Sequence, residues 1–333
     1  MYYPGSDSRA NALIQWLTAD LRLQVESITP ASSDASFRRY FRVEHAEGCD
    51  IVMDAPPDKE NTESFIRNAN LLRKAGIHVP AIYSRNPEQG FLLLEDMGSQ
   101  CYLDCLQDGN ADALYGAALD SLFELQHAID VETCGLPVYD QALLQRELNI
   151  FDEWFLEKRL GIVLPVSVRE EVDTCLIASA LQQPRVVVHR DFHSRNLMVL
   201  ACDSPGVLDF QDAVIGPVTY DLVSLFRDCY ILWPGARVSA WLESYHRRLL
   251  DAGSLDADLA QFERWFDLMG LQRHLKAVGI FSRLDVRDNK PGYLADIPRT
   301  MAYIAEVCGR YPELAGFHAF LQHQVLPIYR AKL

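Results

Sequence analysis

Hydrophobic periodicity changes character once along this chain, near Gly98, and that change restricts the fold more than any other feature. Before it, apolar residues come in short runs bounded by turn-forming residues, the pattern of strands. After it, they recur every three or four residues over long stretches, the pattern of helices. The spacing predicts a helix over 10–23, with Leu13, Ile14, Trp16, Leu17 and Leu21 toward a core. It predicts strands over 24–30 and 37–43, joined by the polar loop 31–36, and a third over 50–55 stopped by Pro56 and Pro57. A helix over 60–75 ends at Gly76, followed by strands over 81–84 and 91–95. Beyond Gly98, helices are predicted over 111–129, 139–160, 167–182, 219–231, 236–251, 257–280, 295–308 and 313–329. An island of short strands, 185–188, 197–200 and 206–208, interrupts them. The expected fold class is α+β and two-lobed. Residues 1–97 form a small β-sheet N-lobe and residues 98–333 a large, mainly helical C-lobe, with a ligand cleft expected between them.

A length of 333 residues suits two lobes better than one core. A formal net charge of -15 makes the chain a poor partner for nucleic acid or an anionic membrane surface. No apolar run is long enough to span a bilayer, and the first 23 residues lack the basic and apolar regions of a signal peptide. The eight cysteines include no CxxC pair, so reduced, mostly buried thiols in a cytoplasmic protein are expected.

The island carries the chemistry. His189-Arg190-Asp191-Phe192-His193-Ser194-Arg195-Asn196 follows the apolar strand Val186–Val188, and Leu208-Asp209-Phe210 lies a short hairpin downstream. This arrangement suits phosphoryl transfer. Asp191 would orient the attacking hydroxyl and accept its hydrogen bond. The amide oxygen of Asn196 and the carboxylate of Asp209 would bind Mg²⁺, a cation that prefers hard oxygen donors. A second reading, in which His189, Asp191 and His193 alternate as metal ligands, lacks identifiable distal ligands.

His189-x-Asp191-x4-Asn196 followed by Leu208-Asp209-Phe210 resembles the catalytic and metal-binding segments of the aminoglycoside phosphotransferase and choline kinase group, relatives of the protein kinases. Gly216-Pro217 followed by Asp221-Leu222 resembles the same group. The resemblance implies a kinase fold over nearly the whole chain, with ATP and Mg²⁺ as cofactors and a small hydroxylated acceptor. Within the group, the run from Val188 through Asn196 to Tyr230-Ile231-Leu232-Trp233-Pro234 is similar to the bacterial anomeric sugar kinases of peptidoglycan recycling. That implies an amino-sugar acceptor, N-acetylmuramate or N-acetylglucosamine, phosphorylated at C1 and passed to a uridylyltransferase. An aminoglycoside or choline-like acceptor competes with it, as does a nucleotide-binding pseudokinase.

The resemblance also assigns the nucleotide side. The loop over the phosphates would be Ser32–Phe37, with Ser33 and Ser36 as contacts, although it contains no glycine. The strand-three lysine of the group is missing from Ile51-Val52-Met53-Asp54-Ala55, and Arg38 or Arg39 is the expected substitute. Backbone groups from Glu95 to Met97 would meet adenine. The acceptor would be held by His193, Arg195, Arg227 and Trp233, because an arginine can pair a carboxylate bidentately and aromatics stack on sugar rings. Asp221 is read as structural, buried and tying the catalytic loop.

Overall fold

The computed structural model describes residues 7–32, 37–202 and 204–332. The chain divides into two compact units. One comprises the residues up to Cys101 together with Leu197–Asp212; the other comprises Tyr102–Asn196 and Ala213 onward. The segment 197–212 therefore packs with the first unit, which a linear division at residue 97 does not anticipate.

The first unit is built on a five-stranded antiparallel sheet. Its strands are β1 (Val25–Ser32), β2 (Arg39–His45), β3 (Gly48–Asp54), β4 (Ile82–Asn86) and β5 (Phe91–Glu95), in the order β1-β2-β3-β5-β4. Helix α1 (Ser8–Gln15) covers one face. Leu13, Trp16 and Leu17 join Ile28, Phe41, Val43, Val52, Phe91 and Leu93 in one buried cluster. Helix α1 is shorter than its periodicity predicts. It widens into a π-type turn over Trp16–Asp20, and Arg22 leaves the helix at φ 57°. Helix α2 (Thr62–Lys74) begins at Asn61, whose side chain accepts from the Glu63 amide at 2.8 Å. It buries Phe65, Ala69 and Leu72.

In the second unit, α3 (Tyr102–Cys105), α4 (Ala111–His127), α5 (Gln141–Ile150) and α6 (Val166–Leu181) precede the island, whose strand β6 is Arg185–Val188. Strands β7 (Leu197–Met198) and β8 (Gly206–Val207) pair with each other in the first unit. Strand β9 (Val214–Pro217) pairs antiparallel with β6, a partner that local periodicity did not reveal. Then come α7 (Tyr220–Phe226), α8 (Gly235–Asp251), α9 (Leu259–Val286), α10 (Ile297–Arg310), α11 (Ala315–Phe320) and α12 (Leu326–Ala331). Helix α7 stops at Phe226 instead of running to 231, because the following residues turn away to bond the catalytic loop. Among the described residues, no helix is long and apolar enough to cross a membrane. All eight cysteines are free thiols, but only Cys229 and Cys308 are fully buried, so most of them are less enclosed than expected.

Helix α9 is the axis of the second unit. Most of its residues from Phe262 to Val278 are buried. Gly279 lets it approach the ten-residue π-type continuation of α5 (Phe151–Leu160) closely, for a Cβ there would lie 2.6 Å from the Ile150 carbonyl. Gly279→Ala is therefore expected to destabilise the protein by about 1–3 kcal/mol, the usual cost of overpacking. Gly116→Ala, at an open position inside α4 with nothing within 4 Å, should instead stabilise it by up to ~1 kcal/mol. Chemical denaturation of the two variants measures both.

Candidate active site

The catalytic segment begins where β6 ends. Arg190 takes φ 78°, a left-handed conformation that non-glycine residues seldom adopt, so something must hold it there. Asp221, fully buried in the first turn of α7, does so. Its carboxylate accepts from the His189 amide at 2.7 Å and the Arg190 amide at 3.0 Å. Burial pushes this carboxyl up to about 7, against the lowering effect of the two amides. The Arg190 guanidinium is paired with buried Glu147 of α5.

A second aspartate holds the middle of the segment. Asp228 lies just beyond α7 and is 1% exposed. One of its oxygens accepts from the amide and hydroxyl of Ser194, at 3.0 and 2.5 Å; the other accepts from the Tyr230 amide at 3.0 Å. The Ser194 carbonyl accepts from Leu103 of α3 at 3.0 Å. The Asn196 side-chain nitrogen then donates to the Asp191 carbonyl at 3.0 Å, closing the loop on itself.

Asp191 borders a cavity of about 120 Å³ in the second unit. Its other walls include His193, Tyr220, Tyr230, Arg273, Lys276 and Phe281. Burial works to raise the Asp191 carboxyl, but Lys276, His193, Arg273 and Arg190 outweigh it and hold it below the usual carboxylate range. Asp191 is thus a carboxylate at neutral pH, the form a base requires. His193 is buried and edge-on to Tyr230, with ring centroids 5.3 Å apart. Burial lowers its pKa, so the imidazole is neutral at pH 7.

Below the cavity lies a charge network. Glu147 accepts from Lys276 at 2.9 Å and from Gln272 at 3.1 Å, and it is also bonded to Tyr139 and Arg190. Burial opposes its ionisation, yet these partners pull its pKa down to about 2. None of Glu147, Arg273 and Lys276 was singled out from sequence. The available signal was the pair of cations at 273 and 276 inside an otherwise buried helix, since lysine and arginine are almost never so placed without a partner or a task.

Two expected acceptor residues lie elsewhere. Arg227 is buried, paired with Asp267 at 2.7 Å and set over the Phe266 ring, and it does not line the cavity. Trp233 is buried, with its indole nitrogen donating to the Tyr115 hydroxyl at 2.9 Å. Both are packing residues in this structure. The aromatic wall is Tyr230 instead, with the exposed Arg195 stacked on it at 3.6 Å from the ring centroid.

In the first unit, Asp209 takes φ 64° and accepts from the Gln211 side chain at 2.6 Å. Helix α2 anchors this segment. The Asn68 side chain donates to the carbonyls of Phe210 and Gln211 at 3.2 and 2.9 Å, and Phe65 packs on Phe210 with ring centroids 4.8 Å apart. Carboxylate and amide oxygens suit Mg²⁺. No cluster of three or more His, Cys, Asp or Glu side chains able to hold a metal occurs among the described residues.

Across the chain, the profile of the phosphotransferase enzyme family (APH) matches residues 27–267. The chain belongs to this phosphotransferase family. A relative from Pseudomonas putida named N-acetylmuramate/N-acetylglucosamine kinase is 47% identical over 326 residues, covering 94% of this chain and 95% of that protein. Proteins of the same name from Pseudomonas aeruginosa and Neisseria meningitidis are 49% and 40% identical, covering 86% and 93% of this chain and 86% and 94% of their own lengths. The solved choline kinase LicA from Streptococcus pneumoniae shares the fold at 14% identity, with a TM-score of 0.64 over 90% of this chain and all of that one. An ADP-bound aminoglycoside phosphotransferase, APH(2'')-Ib, does so at 14% identity and a TM-score of 0.58, over 90% of this chain and 99% of that one.

In this phosphotransferase the two candidate substitutes for the strand-three lysine are distinct. Arg39 is bound to Asp7 and to buried Asp54 of β3, which also holds Arg9. Arg38 has Glu60 3.4 Å from its Nε. Burial opposes its charge, and Tyr40, Glu60, Asp209 and Asp212 together more than restore it. Arg38 is therefore the cation that feels the Asp209 carboxylate. The Glu95 amide donates to the Ala81 carbonyl at 2.9 Å, so that N–H is already used within the first unit. Ser33 and Ser36 lie outside the described residues.

Glu147→Gln leaves Lys276 and Arg190 buried without their anion and should cost about 3–5 kcal/mol. The wild-type contribution is present above the unfolded glutamate pKa and is lost as pH falls from about 4.5 toward about 2. Denaturation curves across that pH window should therefore converge for wild type and variant.

Proposed function

We propose that this phosphotransferase moves the γ-phosphoryl group of ATP to the anomeric hydroxyl of N-acetylmuramate or N-acetylglucosamine. The observation that carries the reading is Asp191. It is a carboxylate held ionised beside a cavity, on a loop pinned at both ends by buried aspartates. The name and near-complete coverage of the relatives support the choice of acceptor.

Asp191 takes the hydrogen bond of the C1 hydroxyl and orients that oxygen toward the γ-phosphorus. A new C1–O–P linkage forms, the bond from the γ-phosphorus to the β-bridging oxygen breaks, and ADP leaves with that electron pair. The hydroxyl proton passes to Asp191. An anomeric hydroxyl is more acidic than an ordinary alcohol, so orientation is the larger share of the residue's task. Asn196 and Asp209 are the oxygen donors assigned to Mg²⁺, which when bound neutralises charge on the phosphates. Arg38 supplies the phosphate-side cation in place of the missing lysine. Tyr230 and Phe281 offer ring faces to the sugar, and neutral His193 can exchange a hydrogen bond with it.

The names of the relatives favour an amino sugar over an aminoglycoside or choline as the acceptor. The sugar 1-phosphate would be consumed by a uridylyltransferase, and the cytoplasm, where ATP is available, is the compartment that fits.

Asp191→Asn is expected to lower kcat by at least ~10²-fold, the scale of general-base and positioning losses, while leaving the thermal transition in place. Unchanged turnover would refute its role. Phosphorus NMR of the wild-type product should show an acid-labile glycosyl phosphate, and an acid-stable monoester would place the phosphate on another hydroxyl. Arg38→Ala should raise KM for ATP or lower kcat by about 10-fold or more, the scale of one charge-assisted hydrogen bond. Steady-state kinetics with varied ATP decide this.

A further inference from the structure

Three cations act on the Asp191 carboxylate, Arg273 and Lys276 from the cavity wall and Arg190 beside it in the chain, and two of them already have an anion. Arg190 and Lys276 share Glu147, and Lys276 also reaches the Tyr220 hydroxyl at 3.3 Å. The third, Arg273, has none. It is only 6% exposed, and its Nε and Nη1 are buried without a hydrogen-bond partner. The nearby acids do not fill the vacancy. Asp228 accepts from Ser194 and Tyr230, and no carboxylate forms an ion pair with Arg273 among the described residues. A buried guanidinium left in this condition is costly, because its lost hydration is not replaced. Such a group is normally kept for an anion that arrives from outside, and a planar fork of donors matches a carboxylate.

The two acceptors differ in one respect that bears on this. N-acetylmuramate is N-acetylglucosamine with a lactyl ether on O3, and the lactyl group ends in a carboxylate. C3 is two ring atoms from C1, so a sugar that presents its anomeric hydroxyl to Asp191 carries that carboxylate on a nearby edge. The cavity of about 120 Å³ has room for a carboxylate and its stem, and Tyr230 and Phe281 in its lining offer ring faces to the sugar. On a chain of net charge -15, an anionic sugar needs such a local cation more than a neutral one does.

Building on the acceptor reading above, we propose that Arg273 is the specificity residue that receives the lactyl carboxylate of N-acetylmuramate, and that it contributes little to N-acetylglucosamine. The test is a cycle between enzyme and substrate. Wild type and Arg273→Met are assayed with N-acetylmuramate, its lactyl carboxamide and N-acetylglucosamine, with Arg273→Lys as a charge-retaining second variant and thermal melts as the folding control. Arg273→Met should lose about 10- to 100-fold in kcat/KM for N-acetylmuramate, mainly through KM, and less than about 3-fold for N-acetylglucosamine, the range expected for hydrogen bonds to a charged group. Wild type should lose a similar factor on the carboxamide, and Arg273→Met should no longer separate acid from amide. Arg273→Lys should fall between them.

Equal losses on both sugars would overturn the proposal, pointing to a phosphate-binding or structural role. Equal use of acid and carboxamide by wild type would also overturn it, and that comparison does not depend on any variant folding. If wild type phosphorylates neither sugar, the acceptor reading itself falls and this inference with it. That outcome differs from one in which both sugars are consumed but Arg273 does not discriminate them.

Discussion

Everything chemical in the second unit depends on two buried carboxylates gripping backbone amides. Asp221 sits at the start of α7 and Asp228 just past its end, so one fully buried seven-residue helix carries both grips. Arg190 adopts a conformation that would relax if released, and Asp221 is what opposes the relaxation. Asp228 fixes Ser194, and the turn between them sets where Asp191 stands. Carboxylate-to-amide bonds are charge-assisted and strong when water is excluded. The burial that makes them strong also raises the Asp221 carboxyl to about 7, so the grip and its cost come from the same exclusion of water.

Charge is layered rather than spread. The chain is strongly acidic overall, while the cavity wall sets two cations, Arg273 and Lys276, beside two carboxylates, Asp191 and Asp228. Glu147 makes this tolerable, because it pairs with both Lys276 and Arg190, while Lys276, His193, Arg273 and Arg190 together hold Asp191 ionised. Arg273 is left as the cation of this wall without an ion-pair partner among the described residues.

The first unit solves a similar problem with other residues. Asp54 at the end of β3 is fully buried and gathers Arg9 and Arg39, whereas Arg38 on the adjacent chain answers to Glu60, Asp209 and Asp212. Neighbouring arginines thus have separate tasks, one holding the sheet to the N-terminal helix and one answering the Asp209 carboxylate. Asn68 ties α2 to the carbonyls beside Asp209, which gives that helix a part in the site without a reactive group of its own.

Much of this was legible before any coordinates. Helix and strand periodicity located β5 and β6 at their true ends and most helices within a few residues, because apolar spacing is a local property. The order His189, Asp191, Asn196, Asp209 pointed to the phosphotransferase family that the chain belongs to, because that chemistry needs particular side chains at particular spacings. The pairing of β6 with β9, the early end of α7 and the return of 197–212 to the first unit were not legible, since each rests on hydrogen bonds between residues far apart in sequence. The same limit explains why Arg227 looked like an acceptor residue and proved to be Asp267's partner, while Arg273 and Lys276 went unnoticed. The amino-acid sequence alone determined which residue types were present to do phosphoryl transfer and the segments that carry them. Only the tertiary structure decided which arginine is spoken for and which is left open, because that depends on the anion each one meets across the fold.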